Sequence, residues 1–386
     1  MTPLARLAAA IALAGVIACD PPPQGVRSPD KSADLEVPLQ RLPVTPLALR
    51  EVELEVERVD LDRDADVDVL LFGEPRPAFL AALAEKAPGV TFAHATVTSP
   101  SLTRAIVFGQ DAKKATFVVA VERDGALEGP WRADDAAFRM DGALVLRLGA
   151  DVRLQAPGAA PTHLAKTDLC VGADCPRSPS LLVADESHVA VSMESRGFIT
   201  SSSLGVLTLR TGHFEIHPGM PGAHLGLAVN AAGTVCTVQV PEDGRRDGAA
   251  LACSRAPWTS IERFWIPDSG AAFGAVGDLM VNGVVGRLAL LDPERRVLRV
   301  ADTRRYRGTP TSLPAAGLVV LDLDDAYAII DPKAGTVGVA KAPGCHNILS
   351  ATGSSAGAFV ASCERAGELR SSLLRVRRPA DPPAGG

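Results

Sequence analysis

Gly277-Asp278-Leu279-Met280-Val281, Gly317-Leu318-Val319-Val320-Leu321 and Gly357-Ala358-Phe359-Val360-Ala361 are one pattern written three times at 40-residue spacing: a glycine, then an apolar extended run. Further copies begin at Gly233 (Gly233-Thr234-Val235-Cys236) and Gly197 (Gly197-Phe198-Ile199-Thr200), at intervals of 44 and 36 residues. A recurring period of this length marks a repeat architecture, in which each unit buries its apolar faces against its neighbours. Outward from the glycines the units extend in both directions. Histidine opens a strand-like run upstream at His188, His224 and His346, a recurrence that predicts the same structural hydrogen bond in each unit. Downstream, Leu290-Leu291-Asp292-Pro293 leading to Val297 is matched by Ile329-Ile330-Asp331-Pro332 leading to Val337, and Thr211-Gly212 is a further hairpin signal.

Four short strands per forty residues, with turns between them and almost no helical periodicity, resemble the blades of a β-propeller. The expected fold class is therefore all-β, a β-propeller of about seven blades over residues 101–380, with six and eight as the neighbouring counts because the unit between 125 and 185 is irregular. Weaker copies lie near Gly158 and at Asp111-Ala112-Lys113-Lys114, ahead of the strand 116–121. The Asp-Pro hairpins and glycine turns resemble those of quinoprotein-like and YVTN-like propellers. Quinone-cofactor propellers look far richer in tryptophan than this chain, which has only Trp131, Trp258 and Trp265.

The chain opens MTPLARLAAAIALAGVIACD, with one cation at Arg6, an apolar run from Leu7 to Ile17, and Ala18 before Cys19. That run is too short to span a bilayer and has the order of an export signal. Val16-Ile17-Ala18-Cys19 resembles the lipobox of bacterial lipoproteins, which implies a signal peptide over 1–18 and a lipid-modified Cys19. The resemblance implies a protein of the bacterial cell envelope, tethered to the inner or outer membrane with its domain outside the cytoplasm. Asp20 resembles the signal that retains such proteins in the inner membrane. Pro21, Pro22, Pro23, Pro29, Pro38, Pro43 and Pro46 mark residues 19–48 as a semi-extended tether.

Residues 49–100 read as a small β-α-β element or an embellished first blade, and 381–386 as a disordered tail. Residues 51–57, EVELEVE, alternate with Val52, Leu54 and Val56 on one face and four glutamates on the other. Pro77 opens a helix that Pro88-Gly89 closes, and a strand follows over 90–97. Residues 51–68 hold nine acids and two arginines, more than the whole net charge of −6. The acidity therefore belongs to one segment, a candidate surface for cations or a basic partner. Within it Asp60, Asp62 and Asp64 have the spacing of hard oxygen ligands and make calcium a metal candidate. Ala65 and Leu71 stand where an EF-hand needs glycine and glutamate, so the main expectation is a solvated acidic face and no cofactor.

Setting Cys19 aside, six cysteines fall into local pairs, Cys170/Cys175, Cys236/Cys253 and Cys345/Cys363, each straddling a turn signal. Residues equidistant from a hairpin turn face each other at disulfide distance, which predicts three cross-turn disulfides and an oxidising compartment. His213, His217 and His224 are the other metal candidates, but on an extended segment the first two lie about 13 Å apart. Gly353-Ser354-Ser355-Ala356-Gly357 satisfies G-x-S-x-G, yet sits between two strands rather than on a strand-to-helix elbow.

With 47% hydrophobic residues and a negative charge, the chain is too apolar for a disordered protein and too acidic for a nucleic-acid binder. The expected function is a membrane-anchored, non-enzymatic propeller that binds an envelope protein, peptide or glycan. The alternatives are a propeller hydrolase or lyase with its site in the central channel, and a weak calcium-binding envelope protein.

Overall fold

The computed structural model describes residues 37–58, 77–99, 104–122, 125–167, 169, 180–195, 201–216, 224–239, 248–267, 272–314, 316–323, 325–351, 357–365 and 367–377. These residues form one helix and a series of antiparallel sheets built from consecutive strands. Four short strands come first: β1 (Leu39–Gln40), β2 (Val44–Leu47), β3 (Arg50–Glu51) and β4 (Glu55–Arg58). Helix α1 (Pro77–Lys86) follows, as its proline start and Pro88-Gly89 stop predict.

Blade 1 is β5 (Val90–Thr98), β6 (Arg104–Asp111), β7 (Thr116–Glu122) and β8 (Leu127–Arg132). Blade 2 is β9 (Asp135–Arg139), β10 (Leu144–Leu148), β11 (Asp151–Gln155) and β12 (Thr162–Lys166), and blade 3 is β13 (Ser180–Ala184), β14 (His188–Ser195), β15 (Ser201–Thr208) and β16 (His213–Ile216). A short parallel pairing of β13 with β9, Val183 opposite Phe138, joins these two blades into one eight-stranded sheet. Blade 4 is β17 (His224–Val229), β18 (Val235–Gln239), β19 (Gly248–Ser254) and β20 (Glu262–Pro267). Blade 5 is β21 (Ala272–Val276), β22 (Leu279–Val284), β23 (Arg287–Asp292) and β24 (Val297–Asp302). Blade 6 is β25 (Pro310–Leu313), β26 (Leu318–Asp322), β27 (Ala326–Asp331) and β28 (Thr336–Lys341). The last blade has only three strands of its own, β29 (Cys345–Ala351), β30 (Ala358–Arg365) and β31 (Glu368–Arg377), and β4 supplies the fourth. The described residues thus make a seven-bladed β-propeller.

The runs that looked continuously apolar are buried on both sides. In β26, Val319 and Leu321 face the core shared with blade 5, while Val320 faces the core shared with blade 7. A strand sandwiched in this way reads as an unbroken hydrophobic run rather than an alternation. The same division makes a separate core at each seam from blades 1/2 to blades 6/7. Blade 1 turns its other face to α1, where Leu83 packs on Ala105, Val107, Val119 and Val121.

The glycine repeat marks one turn in four of the blades. Gly233, Gly277, Gly317 and Gly357 each occupy the turn between first and second strand, and all four have positive φ, between 55° and 77°. That conformation costs a residue with a Cβ about 1 kcal/mol or more, hence glycine. The earlier copies are out of phase. Gly197 falls between the second and third strands of blade 3, whose first turn is 185–187, while Asp111–Lys114 and Gly158 occupy second and third turns. The histidines are likewise not equivalent: His188 opens a second strand, whereas His224 opens a first strand and His346 lies in one. The Asp-Pro signal does hold its place. Asp292 Oδ1 accepts from the amides of Glu294 and Arg295, and Asp331 Oδ1 from those of Lys333 and Ala334.

Two boundaries differ from the sequence expectation. Residues 37–48, read as tether, lie on the propeller in β1 and β2, and strand 90–98 is the first strand of blade 1. Proline misled the first reading. An outermost strand has one edge toward solvent and tolerates a residue without an N–H, as Pro46 does in β2.

Candidate functional site

The N-terminal segment is a belt. β1 pairs in parallel with β20, β2 with β24 and β3 with β28, each adding a fifth strand outside blades 4, 5 and 6 before β4 completes blade 7. At each seam it leaves an apolar side chain in the shared core: Val37 at blades 3/4, Leu42 at 4/5, Leu47 and Leu49 at 5/6, Leu54 and Val56 at 6/7. Arg41 lies over the Trp265 ring, 4.8 Å from its centroid. The predicted alternation is present, with Val52, Leu54 and Val56 half-buried and Glu51, Glu53, Glu55 and Glu57 exposed. Two of these acids are turned to arginines of the propeller: Arg305 Nη1 is 2.7 Å from Glu51 Oε1, and Arg377 pairs with Glu57. Part of the acidic surface is thus occupied from within.

Of the residues singled out in the sequence, Cys236–Cys253 and Cys345–Cys363 are disulfides, joining directly opposed residues of β18/β19 and β29/β30. Cys19, Cys170, Cys175, Asp60, Asp62, Asp64, His217 and Gly353–Ala356 lie outside the described residues. His213 Nε2 is 3.1 Å from Glu215 Oε1 at the surface, and His188 and His346 face Asp185 and Asp325 at 3.5 and 3.8 Å. Among the described residues no group of three or more His, Cys, Asp or Glu is arranged to hold a metal ion, and no helix is long and apolar enough to cross a membrane.

The seam between blades 1 and 2 carries polar chemistry that motif searching did not find. Arg104, buried at the start of β6, pairs with Glu122 at 2.5 Å and Glu128 at 2.8 Å, and donates to the Gly142 carbonyl at 2.5 Å. Gln155 Nε2 donates to Glu128 Oε2 and to the carbonyls of Ala156 and Ala159, while the Gly158 amide donates to Glu128 Oε1. A buried guanidinium is tolerated only when paired and hydrogen-bonded in this way, so the network latches the blades together. The available signal was a lone cation opening one apolar strand and a lone acid ending the next, since Arg104 faces Glu122 across the ladder. Asp135 performs a similar service at the next seam, accepting from the amides of Ala136 and Leu181. Burial raises its carboxyl to about 6 from 3.8, against the pull of those two hydrogen bonds.

At the other end of the β6–β7 hairpin opens a cavity of about 420 Å³. Its floor is the β7–β8 ladder, with Phe117 opposite Arg132, and its walls are the 111–115 turn and Asp134. Asp111 Oδ1 is held by the amides of Lys113 and Ala115, both at 2.8 Å, and Asp134 Oδ2 by the amide of Gly149 at 2.6 Å.

No protein-family model matches the sequence, and no curated protein matches it. Some of the solved structures similar to it are propellers or WD40 domains by name. The WD40 domain of Toxoplasma gondii coronin is 9% identical over 87% of this chain and 89% of that one, with a TM-score of 0.41. The Dos1 propeller is 11% identical over 70% and 75%, with a TM-score of 0.39. Dipeptidyl peptidase 4 of Porphyromonas gingivalis is 9% identical over 87% of this chain and 60% of that one, with a TM-score of 0.47. The likeness is one of fold.

Proposed function

We propose that this protein is a lipid-anchored, non-enzymatic propeller of the bacterial cell envelope, acylated at Cys19 and presenting its blades to an envelope protein, peptide or glycan. The observation that carries this reading is the belt. A chain tethered at its N-terminus must transmit any pull to the domain, and residues 37–58 spread that load over four blades by strand pairing and seam-filling side chains. The residues between Cys19 and Val37 reach at most about 60 Å when extended, so the propeller works close to its membrane. Two buried disulfides suit an oxidising compartment. Six half-buried apolar side chains and a shared blade give the belt a mechanical role that a free spacer lacks.

The test is metabolic labelling of the full chain in a bacterial host with an alkyne-bearing palmitate, followed by membrane fractionation. Label and membrane association are expected for the wild type and lost in Cys19→Ala. Unlabelled wild-type protein would sink the anchor, and crosslinking in native membranes that captures no partner would sink the scaffold role.

A further inference from the structure

We infer that the cavity at the β6–β7 turn of blade 1 is a binding site for a small, clustered oxyanion, a ligand carrying two or more phosphate or carboxylate groups. Three cations line it, Lys113, Lys114 and Arg132, against two carboxylates. The carboxylates are engaged in shaping the walls, Asp111 by its turn amides and Asp134 by Gly149. No ion pair among the described residues holds the two ammonium groups or the Arg132 guanidinium, and all three side chains are exposed to the cavity mouth. Three cations against two carboxylates leave the lining with a net positive charge. Phe117 gives the charged lining one apolar surface, and about 420 Å³ falls within the size range of small-molecule sites.

Lys114 adds a second, independent observation. Its φ is 63°, in the left-handed region where glycine or asparagine is the unstrained choice. The turn holds it there, with the Lys114 amide donating to the Asp111 carbonyl at 2.9 Å. The turn's own hydrogen bonds set this conformation, and the side chain it carries is an ammonium at the edge of the cavity. Lys113 and Lys114 line the cavity on the turn and Arg132 on its floor, so a ligand there has cations on two sides. Guanidinium and ammonium groups recognise phosphate and carboxylate alike, and the shared chemistry is the oxyanion cluster.

The strain also supplies a clean variant. Lys114→Gly removes the charge and relieves the backbone, so its melting temperature should equal or exceed that of the wild type. Arg132→Gln removes the floor cation and keeps most of its length. Isothermal titration calorimetry of the full chain at low ionic strength, with pyrophosphate and citrate as probes and glucose as the neutral control, reads the site. Saturable, salt-sensitive binding of pyrophosphate or citrate is expected, about tenfold weaker in each variant, with no heat from glucose. A parallel arm uses phosphatidylglycerol vesicles to separate a soluble ligand from a lipid headgroup. No saturable binding of either probe, binding unchanged in either variant, or binding to vesicles alone would overturn the assignment.

Discussion

Asp135 is a carboxylate spent on architecture at a cost that depends on pH. It ties blade 2 to the first strand of blade 3 through the Leu181 amide, and burial holds its pKa at about 6 rather than 3.8. The folded state therefore binds the proton more tightly than the unfolded chain. Below pH 4 both states are protonated and the native fold carries no charge penalty. Between about pH 4 and pH 6 the native state holds the extra proton, so stability falls as pH rises, and the full penalty is present above pH 6. Its size is on the order of 2–3 kcal/mol. Asp302, which Arg304 holds down at about 2, works in the opposite sense and in a lower window, losing its contribution only as the pH falls from 4 toward 2. Asp135→Asn, compared with wild type by urea unfolding at pH 4, 5, 6 and 7, should isolate the Asp135 effect. The wild type is expected to lose ground to the variant across pH 4–6 and to hold a constant difference above it. A difference that does not change with pH contradicts a buried, ionising Asp135.

At the level of elements, blade 7 is the exposed point of the ring. Every other blade folds from consecutive strands, but this one waits for β4 from the far end of the sequence. The Cys345–Cys363 bond pins its first two strands, and Arg58 at the end of β4 sits 3.4 Å from the Cys345 sulfur. The disulfide closes a loop of 18 residues, for which the loss of chain entropy is worth about 3 kcal/mol. The double variant Cys345→Ala, Cys363→Ala should unfold in guanidinium with a stability lower by about that amount, and one within 1 kcal/mol of wild type would show the bond to be idle. This pairing was legible in the sequence because a hairpin is local: two cysteines equidistant from a turn signal decide it. The Arg104 latch was not, because Glu122, Gly142 and Gln155 come from two other strands and a turn across two blades. The 40-residue period was legible in blades 4 to 7, whose first turns use glycine in succession; blade 2 also has one there, Gly142 ahead of Ala143-Leu144-Val145-Leu146, but it stands apart from that run. In blade 3 an Asp-Glu-Ser turn takes that place, with Asp185 Oδ1 accepting the amides of Ser187 and His188, and so the phase slipped there.

The whole molecule depends on a segment whose composition disguises it. The belt strands are two to four residues long and mostly polar, one of them bearing Pro46, and the apolar residues that fill the seams stand five or two apart with no hydrophobic run to betray them. Their spacing makes sense only once the seams exist, since each fills a core made by two blades already in place. The belt also covers the outer edges of blades 4, 5 and 6, which would otherwise offer unpaired backbone groups to another chain. Stability should therefore fall in steps as the N-terminus is shortened. Protein starting at Val37 keeps every belt contact and should match protein starting at Asp20. Starting at Leu49 removes Val37, Leu42 and Leu47, half-buried side chains worth about 1 kcal/mol each, and bares the edges of blades 4 and 5. The expected loss is about 3 kcal/mol with rising aggregation. Starting at Val59 removes β4 as well, leaving blade 7 with three strands and the Arg377–Glu57 pair broken. That protein should no longer unfold in one transition, because blade 7 loses its link to the N-terminal end. Calorimetry of the series decides the matter: a Val59 start with an undiminished single transition would mean that β4 closes nothing.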